Sequence, residues 1–450
     1  MDGTEFTLVA TGGPAALAAG AVAWRKLHRR SYWYAVEFPH KAARVRLTWA
    51  HVAESCGLTK TRKKTRLAGG KPRRVTVQRT PRMKAPRPTP YGFRVQVKLI
   101  DGQVPDDYTK VLDRLAHAWN MHAVRVLNFS PGRLTLVATQ RDPLEVIRDL
   151  PADDGLLQAT VGLLENGLAW VLDFTVVPHW LITGATQSGK STLLNGVIKR
   201  LAAQPVAMVG FDLKGGVELT PYEQRMSALA TNRAECVGLL DDLIGIVLDR
   251  MGLCRRHRVR NIWRLPESER PMPIVVMVDE VAELFLMADK KEKDEIARTA
   301  TALLRVAQLG RAFGVYLLVC GQRVGSDLGP GVTALRAQLG GRICHRVNDD
   351  ETAKMTLGDM TPEALDAARL IAPETPGVAI TVGSDGRWHR ARSEETSEDE
   401  AEQAAAAYAH LAPAWRDLTA TPADVADLDT AAVDFGSENG DAGEPPAQAA

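Results

Sequence analysis

The run Gly184-Ala-Thr-Gln-Ser-Gly-Lys-Ser191 constrains the fold more than any other part of the sequence, because it has the spacing GxxxxGK[ST]. An apolar run, 180–183, precedes it, and a helix-like run, 193–199, follows it. A strand, a glycine-rich loop and a helix in this order wrap backbone N–H groups around nucleotide phosphates. The pattern therefore predicts a nucleotide site formed by Gly184, Ala185, Thr186, Gln187, Ser188, Gly189, Lys190, Ser191 and Thr192.

Two side chains of this run have specific expected tasks. Lys190 is expected to reach the β- and γ-phosphate oxygens of ATP, and the Ser191 hydroxyl is expected to join the ligand shell of Mg²⁺. Since the bare pattern also occurs by chance, the flanking strand and helix carry the prediction.

A second apolar run, 273–278, ends in Asp279-Glu280. An acid at the carboxyl end of a neighbouring strand can hold Mg²⁺, which we expect of Asp279. Glu280 is expected to orient or deprotonate the attacking water, and such an acid pair favours hydrolysis over storage of the nucleotide. The alternative is an acid pair that caps the following helix.

A third apolar run, 315–321, ends in Gln322. In a sheet of this order the strand end lies beside the phosphate site, so Gln322 is expected to sense the γ-phosphate or to position water. The alternative is a solvent-facing amide.

Apolar strands alternate with amphipathic helices from 155 to 382, which is typical of an α/β fold with a mainly parallel sheet. We assign 152–390 to this ATPase domain. A strand, a helix and two further strands precede it and predict a small β-α-β-β domain at 91–151. The strands expected in the larger domain are Leu168–Phe174, Trp180–Thr183, Val206–Phe211, Ile274–Val278, Val315–Cys320 and Arg342–Arg346.

Positive and negative charges are concentrated in different parts of the chain, although the total of 56 Lys and Arg nearly balances 54 Asp and Glu. Residues 25–98 hold 21 Lys/Arg and two acids, whereas residues 391–450 hold 14 acids and two Arg. No period organises 57–90, so we interpret 25–90 as a basic arm and linker. It is expected to be a solvated tether or to contact nucleic-acid phosphates or anionic lipid. The acidic tail, 391–450, is expected to be largely disordered.

Composition excludes several classes of protein. A hydrophobic content of 45% and a charged content of 24% are typical of a soluble globular chain. Five separated cysteines without a CxxC pair disfavour a disulfide scaffold and a zinc ribbon.

Residues 6–24 are uncharged and precede a basic flank, so segment 1–24 is expected to be either one membrane span or a soluble alanine-rich helix. The expected location is the cytoplasm, with membrane attachment if this segment spans the bilayer.

Several ordered motifs together resemble the FtsK/SpoIIIE family of DNA translocases. They are the run 174–191 around the glycine loop, the segment Phe211-Asp-Leu-Lys-Gly-Gly-Val-Glu-Leu219, the strand end Val278-Asp-Glu-Val-Ala-Glu-Leu284, and the run 310–323. Within the family the chain is most similar to the actinobacterial Tra proteins, because no basic winged-helix unit is evident in the acidic tail.

The resemblance implies a RecA-like P-loop NTPase motor that forms a ring, expected to be a hexamer, around double-stranded DNA. ATP would then lie between subunits, and an arginine of one subunit would complete the site of the next. Arg342 is the expected finger by its place in the motif order, with Arg311 and Arg323 as alternatives. Lys214 either couples the nucleotide state to a DNA-facing loop or is a surface lysine.

The expected function is ATP hydrolysis coupled to translocation of double-stranded DNA during conjugal transfer of a plasmid or integrative element. Three alternatives stay open: chromosome segregation at the division septum, an ATPase of a protein-export machine, and a DNA-binding protein with an inactive nucleotide site. The sequence has no second glycine loop of this type, which disfavours export. Its retained lysine, serine and acids disfavour an inactive site.

Overall fold

The computed structural model describes residues 23–24, 27–68, 71–145, 147, 150, 154–286, 292–325, 328–329, 331–358, 360, 362–383 and 386–419. The segment 6–24 and the acidic tail beyond Thr419 therefore lie almost entirely outside the described residues. Within these ranges no helix combines the length and the apolar character needed to cross a bilayer.

The amino-terminal unit begins with helices α1 (Arg29–Tyr32) and α2 (Phe38–Ser55), joined by a π-helical stretch, Trp33–Glu37. Helices α3 (Asp106–Thr109) and α4 (Leu112–Trp119) follow after five strands. The strands of this unit are β1 (Lys60–Ala68), β2 (Lys71–Arg79), β3 (Arg82–Met83), β4 (Arg87–Thr89), β5 (Gly92–Lys98), β6 (Ala123–Ser130) and β7 (Arg133–Thr139).

Strands β3 to β7 form an antiparallel sheet in the order β3-β5-β7-β6, with β4 beside β5. Alternation along β5 buries Phe93, Val95 and Val97 on one face, as expected of a half-buried strand. Helix α2 packs on the same core, where the rings of Trp49 and Trp119 lie 6.0 Å apart.

The interpretation of 25–90 as an arm and linker is therefore wrong for most of its length. Trp49 is buried and donates its indole N–H to the Pro81 carbonyl at 2.7 Å, so α2 belongs to the small domain. Strands β1 and β2 form an antiparallel ribbon where the sequence suggested a linker. Their residues are mostly lysine, arginine or threonine, so the hydrophobic alternation that marks a strand is missing.

The larger unit has a ten-stranded sheet in the order β12-β11-β13-β14-β10-β15-β16-β17-β8-β9. Neighbours from β12 to β15 are parallel, and those from β15 to β9 are antiparallel. The strands are β8 (Gln158–Leu164), β9 (Ala169–Asp173), β10 (His179–Thr183), β11 (Ala207–Phe211), β12 (Ala228–Ala230), β13 (Ile274–Val278), β14 (Val315–Gly321), β15 (Gly341–His345), β16 (Val378–Val382) and β17 (Trp388–Ser393).

Helices cover both faces of this sheet, so its central strands are buried along their whole length. One core includes side chains of α6 and α8, and the core on the other face includes side chains of α5 and α12. The helices are α5 (Lys190–Ala202), α6 (Arg233–Arg256), α7 (Val281–Phe285), α8 (Lys293–Phe313), α9 (Val332–Gln338), α10 (Asp350–Leu357), α11 (Pro362–Arg369), α12 (Glu398–Ala407) and α13 (Trp415–Thr419).

The structure moves the carboxyl-terminal boundary of the larger domain. Strand β17 lies inside the sheet and runs across residue 390, the expected end of the domain. Helix α12 packs on the same core as α5, and the Trp415 indole N–H of α13 donates to Asp242 Oδ2 at 2.8 Å. The part of the acidic tail up to Thr419 is therefore folded onto the ATPase domain.

Candidate nucleotide site

The glycine loop, 184–189, connects the buried strand β10 to helix α5, as the spacing predicted. Gly189 has φ +105°, and a Cβ there would lie 2.3 Å from the Gly377 backbone nitrogen. A Cβ on Gly184 would lie 2.3 Å from the Ser188 hydroxyl. Both positions therefore need glycine, because the loop is pressed against its neighbours.

The loop and the first turn of α5 present unsatisfied donors. Gly189 gives α5 no side-chain cap, so the backbone N–H groups of its first turn are available to an anion. The Ser188 hydroxyl is buried and has no hydrogen-bond partner among the described residues. This arrangement fits the phosphates of a nucleotide.

The other loop residues lie where the pattern placed them. The Ala185 N–H donates to the Arg346 carbonyl at 2.9 Å, and the Arg346 guanidinium donates to the Thr186 carbonyl at 3.1 Å. Gln187 is exposed with φ +61°, Ser191 is exposed in the first turn of α5, and Thr192 is half-buried. Arg346, the residue after β15, thus contacts the loop through both its main chain and its side chain.

Lys190 points at the acid pair that follows β13. Its Nζ lies 3.3 Å from the Asp279 carbonyl oxygen, 4.0 Å from Asp279 Oδ1 and 3.6 Å from Glu280 Oε2. Both acids are nearly inaccessible to solvent. The structure therefore brings together the lysine and the two acids, because β10 and β13 end at the same edge of a parallel sheet.

Lys214 is a second lysine at this acid pair. Its Nζ lies 2.9 Å from Asp279 Oδ2 and 3.9 Å from Glu280 Oε2. Burial lowers the pKa of Lys214, but the hydrogen bond and charge of Asp279, with the charge of Glu280, outweigh burial and hold that pKa above its ordinary value. Lys214 is thus an exposed lysine that also forms an ion pair with Asp279, and its coupling of the nucleotide state to a DNA-facing loop stays a prediction.

Asp212 folds the segment that carries Lys214. Its buried carboxylate accepts the backbone N–H groups of Glu218 and Leu219 at 2.7 and 2.8 Å, and that of Lys214 at 3.2 Å. Segment 212–219 thereby closes into a compact loop at the end of β11. The sequence contained this acid within the Asp-x-Lys motif but gave no sign of its structural task.

Gln322 lies beside the acid pair through its backbone. Its N–H donates to Glu280 Oε1 at 3.2 Å, while its side chain is exposed. The expected sensing role of the side chain stays a prediction.

Arg342 does not join the other site residues of its own subunit. It lies near the start of β15, opposite Leu181, whereas the glycine loop leaves the sheet after Thr183. Its guanidinium donates to the Arg336 carbonyl. Burial, followed by the charge of Arg336, lowers the pKa of Arg342 to about 10, so the group stays charged at neutral pH.

The two alternative fingers are more accessible. Arg311 is exposed in the last turn of α8, and Arg323 is exposed and forms an ion pair with Glu351 at 3.1 Å. A finger acts on the neighbouring subunit, so these positions within one chain leave the choice among the three as a prediction.

Sequence reasoning missed two residues that contact the loop. The Gly377 N–H donates to the Ser188 carbonyl at 2.9 Å, and Gly377 has φ +82°. His345 is fully buried below Gly184, where burial lowers its pKa to about 4 and keeps the imidazole neutral. The only signal for Gly377 was a Pro-Gly turn, and none distinguished His345.

The residues present fit a magnesium ion shared with the nucleotide. No cluster of three or more His, Cys, Asp or Glu side chains suited to a metal occurs in the described ranges, so a cage built from protein alone is absent there. Mg²⁺ at phosphate sites needs only one or two protein oxygens besides phosphate and water. Ser191 and Asp279 would supply these oxygens, as the sequence predicted.

Comparisons with known proteins agree with this geometry. The family model described as actinomycete conjugal transfer protein N-terminal domain matches residues 21–140, and that of the FtsK/SpoIIIE family matches 144–266 and 263–326. Transfer protein TraSA of Streptomyces ambofaciens is 42% identical over 372 residues, 80% of this chain and 90% of that protein. The chain belongs to the FtsK/SpoIIIE family.

A further relative is similar over a smaller share of its own length, and a solved structure shows the same fold. The DNA translocase FtsK of Listeria monocytogenes serovar 1/2a is 31% identical over 273 residues, 54% of this chain and 35% of that protein. The solved structure of pCW3 conjugation coupling protein TcpA, in monomer form with ATPγS, has a TM-score of 0.52 and 20% identity, covering 80% of this chain and 96% of that one. Family and fold confirm the predicted α/β P-loop ATPase.

Proposed function

We propose that the chain is an ATP-driven translocase of double-stranded DNA that moves a plasmid or integrative element during conjugal transfer. The observation that carries the proposal is the joining of Lys190 to the buried Asp279-Glu280 pair in a chain that covers 90% of a relative named transfer protein. The amino-terminal domain supports the conjugal role, because its family model is that of actinomycete conjugal transfer proteins.

The side chains divide the work of hydrolysis. Lys190 and the N–H groups of the loop bind the phosphates of ATP, and bound Mg²⁺, held by Ser191 and Asp279, would neutralise charge on them. Glu280 lies 3.6 Å from Lys190 and its Oε1 is fixed by the Gln322 N–H, so it is positioned to accept a proton from water. The exposed Gln322 side chain would contact the γ-phosphate or that water.

Assembly completes the site in this proposal. The motor forms a ring, expected to be a hexamer, around double-stranded DNA, and Arg342 of one subunit reaches the phosphates bound by the next. To do so, its guanidinium would have to leave the Arg336 carbonyl. The proposal places the ring in the cytoplasm, attached to the membrane through residues 1–24 or through anionic lipid.

ATP hydrolysis by the purified chain, with and without double-stranded DNA, tests the proposal. DNA is expected to stimulate turnover, and Lys190→Ala is expected to lower it by about 100-fold or more, the usual effect of removing a group that stabilises the transition state. Lys199→Ala is the matched control, since Lys199 lies on the same helix and pairs with Glu400 on the surface. Turnover indifferent to DNA would instead favour protein export.

Mating and fractionation test the remaining parts. Loss of the gene from a donor is expected to abolish transfer of the element while leaving chromosome partitioning at septa normal, and the reverse result would support septal segregation. Membrane attachment predicts that the full chain sediments with membranes and that a chain lacking residues 1–24 sediments less.

A further inference from the structure

Strands β1 and β2 form a ribbon of their own. Within the described residues they pair with each other as a separate two-stranded sheet, in nine consecutive pairs from Lys60–Arg79 to Ala68–Lys71 without a bulge. Nine residues of antiparallel strand extend about 30 Å. The ribbon is therefore a narrow element of regular register.

Charge on the ribbon has one sign. Residues 60–79 contain nine Lys/Arg and neither Asp nor Glu. A pair of directly opposed residues shares one face of an antiparallel ribbon, and every second residue of a strand shares that face too. The register thus places seven of the nine basic positions on the first face: Lys60, Arg62, Lys64, Arg66, Lys71, Arg73 and Arg79. The opposite face has Lys63 and Arg74.

The base of the ribbon is fixed to the small domain. Lys60 Nζ donates to the Gly102 carbonyl at 2.6 Å, and the Arg79 guanidinium pairs with Asp101 at 2.8 Å. Gln78 donates to Glu54 of α2 at 2.6 Å. With its base held at both strands, the ribbon has a defined direction, and five basic positions of its first face lie beyond the base.

We propose that the first face of this ribbon binds the sugar–phosphate backbone of double-stranded DNA. The inference deepens the proposed function and rests on it, since it assigns the DNA a second contact outside the ATPase domain. Every second residue of a strand is about 6.8 Å apart, which is twice the 3.4 Å spacing of charges along one DNA strand. A two-stranded ribbon also fits the major groove in width.

An anionic lipid surface fits the ribbon less well. Peripheral membrane elements combine basic residues with a continuous apolar face. Here the apolar positions are few and divided, with Val75 and Val77 on the first face and Leu67 on the other. Because the ribbon is basic and lacks a continuous apolar face, the regularly spaced phosphates of DNA are a better partner for it than a lipid surface.

Two matched double variants test the proposal in the full chain. Arg62→Gln with Arg73→Gln removes two charges from the first face, and Lys63→Gln with Arg74→Gln removes two from the opposite face at adjacent positions. Binding of a 30-bp duplex is measured by fluorescence anisotropy without nucleotide over a series of salt concentrations. The first variant is expected to reduce the slope of log K against log salt by about 1.8, since each phosphate contact contributes about 0.9. The second variant is expected to change it little.

A charge-conserving variant guards against misfolding. Arg62→Lys with Arg73→Lys is expected to keep the wild-type slope, and thermal melting should be the same for all three variants. Equal slopes for the two glutamine variants would overturn the proposal. So would a face-dependent loss of binding to phosphatidylglycerol vesicles with unchanged DNA binding, which would assign the ribbon to lipid.

The outcome also separates this proposal from the function on which it rests. DNA-stimulated hydrolysis by the wild type with identical salt slopes for the two glutamine variants would reject the ribbon contact alone. A wild-type chain that neither binds the duplex nor responds to it in hydrolysis would reject both.

Discussion

Lys214 Nζ lies 2.9 Å from Asp279 Oδ2, on the carboxylate expected to hold Mg²⁺. Asp279 is buried, and Lys190 approaches its other oxygen only to 4.0 Å. The ammonium of Lys214 thus compensates a buried charge that a metal ion would otherwise compensate. Binding of Mg²⁺ with nucleotide would replace this ion pair and free the Lys214 side chain, while the hydrogen bonds of Asp212 keep the loop 212–219 closed.

Replacing Lys214 should therefore destabilise the nucleotide-free protein in particular. Lys214→Met leaves Asp279 with weaker compensation, and we expect a loss of about 1–2 kcal/mol in the free energy of unfolding, since the lysine is one-third exposed and Lys190 remains nearby. Thermal melting with and without Mg-ADP measures it: the variant should gain more stability from Mg-ADP than the wild type. Lys199→Met is the control, and equal gains would contradict the exchange.

Gly377→Ala should disturb the glycine loop from a distance in sequence. Gly377 has φ +82°, a Cβ there would lie 2.7 Å from the Ser393 hydroxyl, and its N–H holds the Ser188 carbonyl. We expect ATP affinity to fall about tenfold, which is about 1.4 kcal/mol. Fluorescent nucleotide titration measures the loss. Gly383→Ala is the control, because a Cβ at Gly383 would have no described atom within 4 Å. An equal loss of ATP affinity in the control would be evidence against a role for the contact between Gly377 and Ser188.

The arginine finger can be identified by mixing subunits. Lys190→Ala and Arg342→Ala chains should each be inactive alone, yet a mixture creates interfaces that combine an intact loop with an intact arginine. We expect the mixed rings to hydrolyse ATP faster than the sum of the two variants. Absence of recovery would argue against Arg342, and the same mixture made with Arg311→Ala or Arg323→Ala distinguishes the alternatives.

His345 should make stability depend on pH between about 6.5 and 4. Burial lowers its pKa to about 4, whereas the unfolded chain takes up a proton near 6.5. The unfolded state thus binds more protons in this window, so stability is present above pH 6.5 and falls as the pH is lowered, by up to about 1.4 kcal/mol per pH unit. Urea unfolding at pH 7, 6 and 5 should show a shallower decline for His345→Gln.

A control and a second histidine sharpen this measurement. His51→Gln, at an exposed position, should decline like the wild type. His179 is also buried with a pKa lowered to about 4, so part of the decline should persist in His345→Gln. An unchanged slope in His345→Gln would show that His345 is not the group responsible.

Local signals predicted the chemical centre of the site. Asp279 ends one apolar run, and Lys190 follows the glycine loop that leaves another. Because the carboxyl ends of parallel strands meet at one sheet edge, this pattern placed the two residues together. The expected strands of the larger domain agree with the observed ones to within a few residues. These features depend on patterns within short stretches of the chain, and such patterns can be recognised directly in the sequence.

Contacts between distant segments could not be predicted in the same way. Strand β8 pairs with β17, more than 220 residues later, and nothing in either run specifies the other as its partner. Arg390 of β17 pairs with Asp142 at 2.8 Å and so joins the small domain to the sheet. The ribbon was missed for another reason, because its alternation is one of charge rather than of hydrophobicity.

The apposition of Gly189 and Gly377 has a consequence for how the protein is made. These residues are 188 positions apart, yet the second holds the loop that the first belongs to. At about 5–20 residues per second of synthesis, the glycine loop emerges from the ribosome roughly 10–40 s before the turn that braces it. A nascent chain stopped before residue 377 would hold all its phosphate-binding side chains without the brace that shapes their loop. Full affinity for ATP should then be a late property of the growing polypeptide.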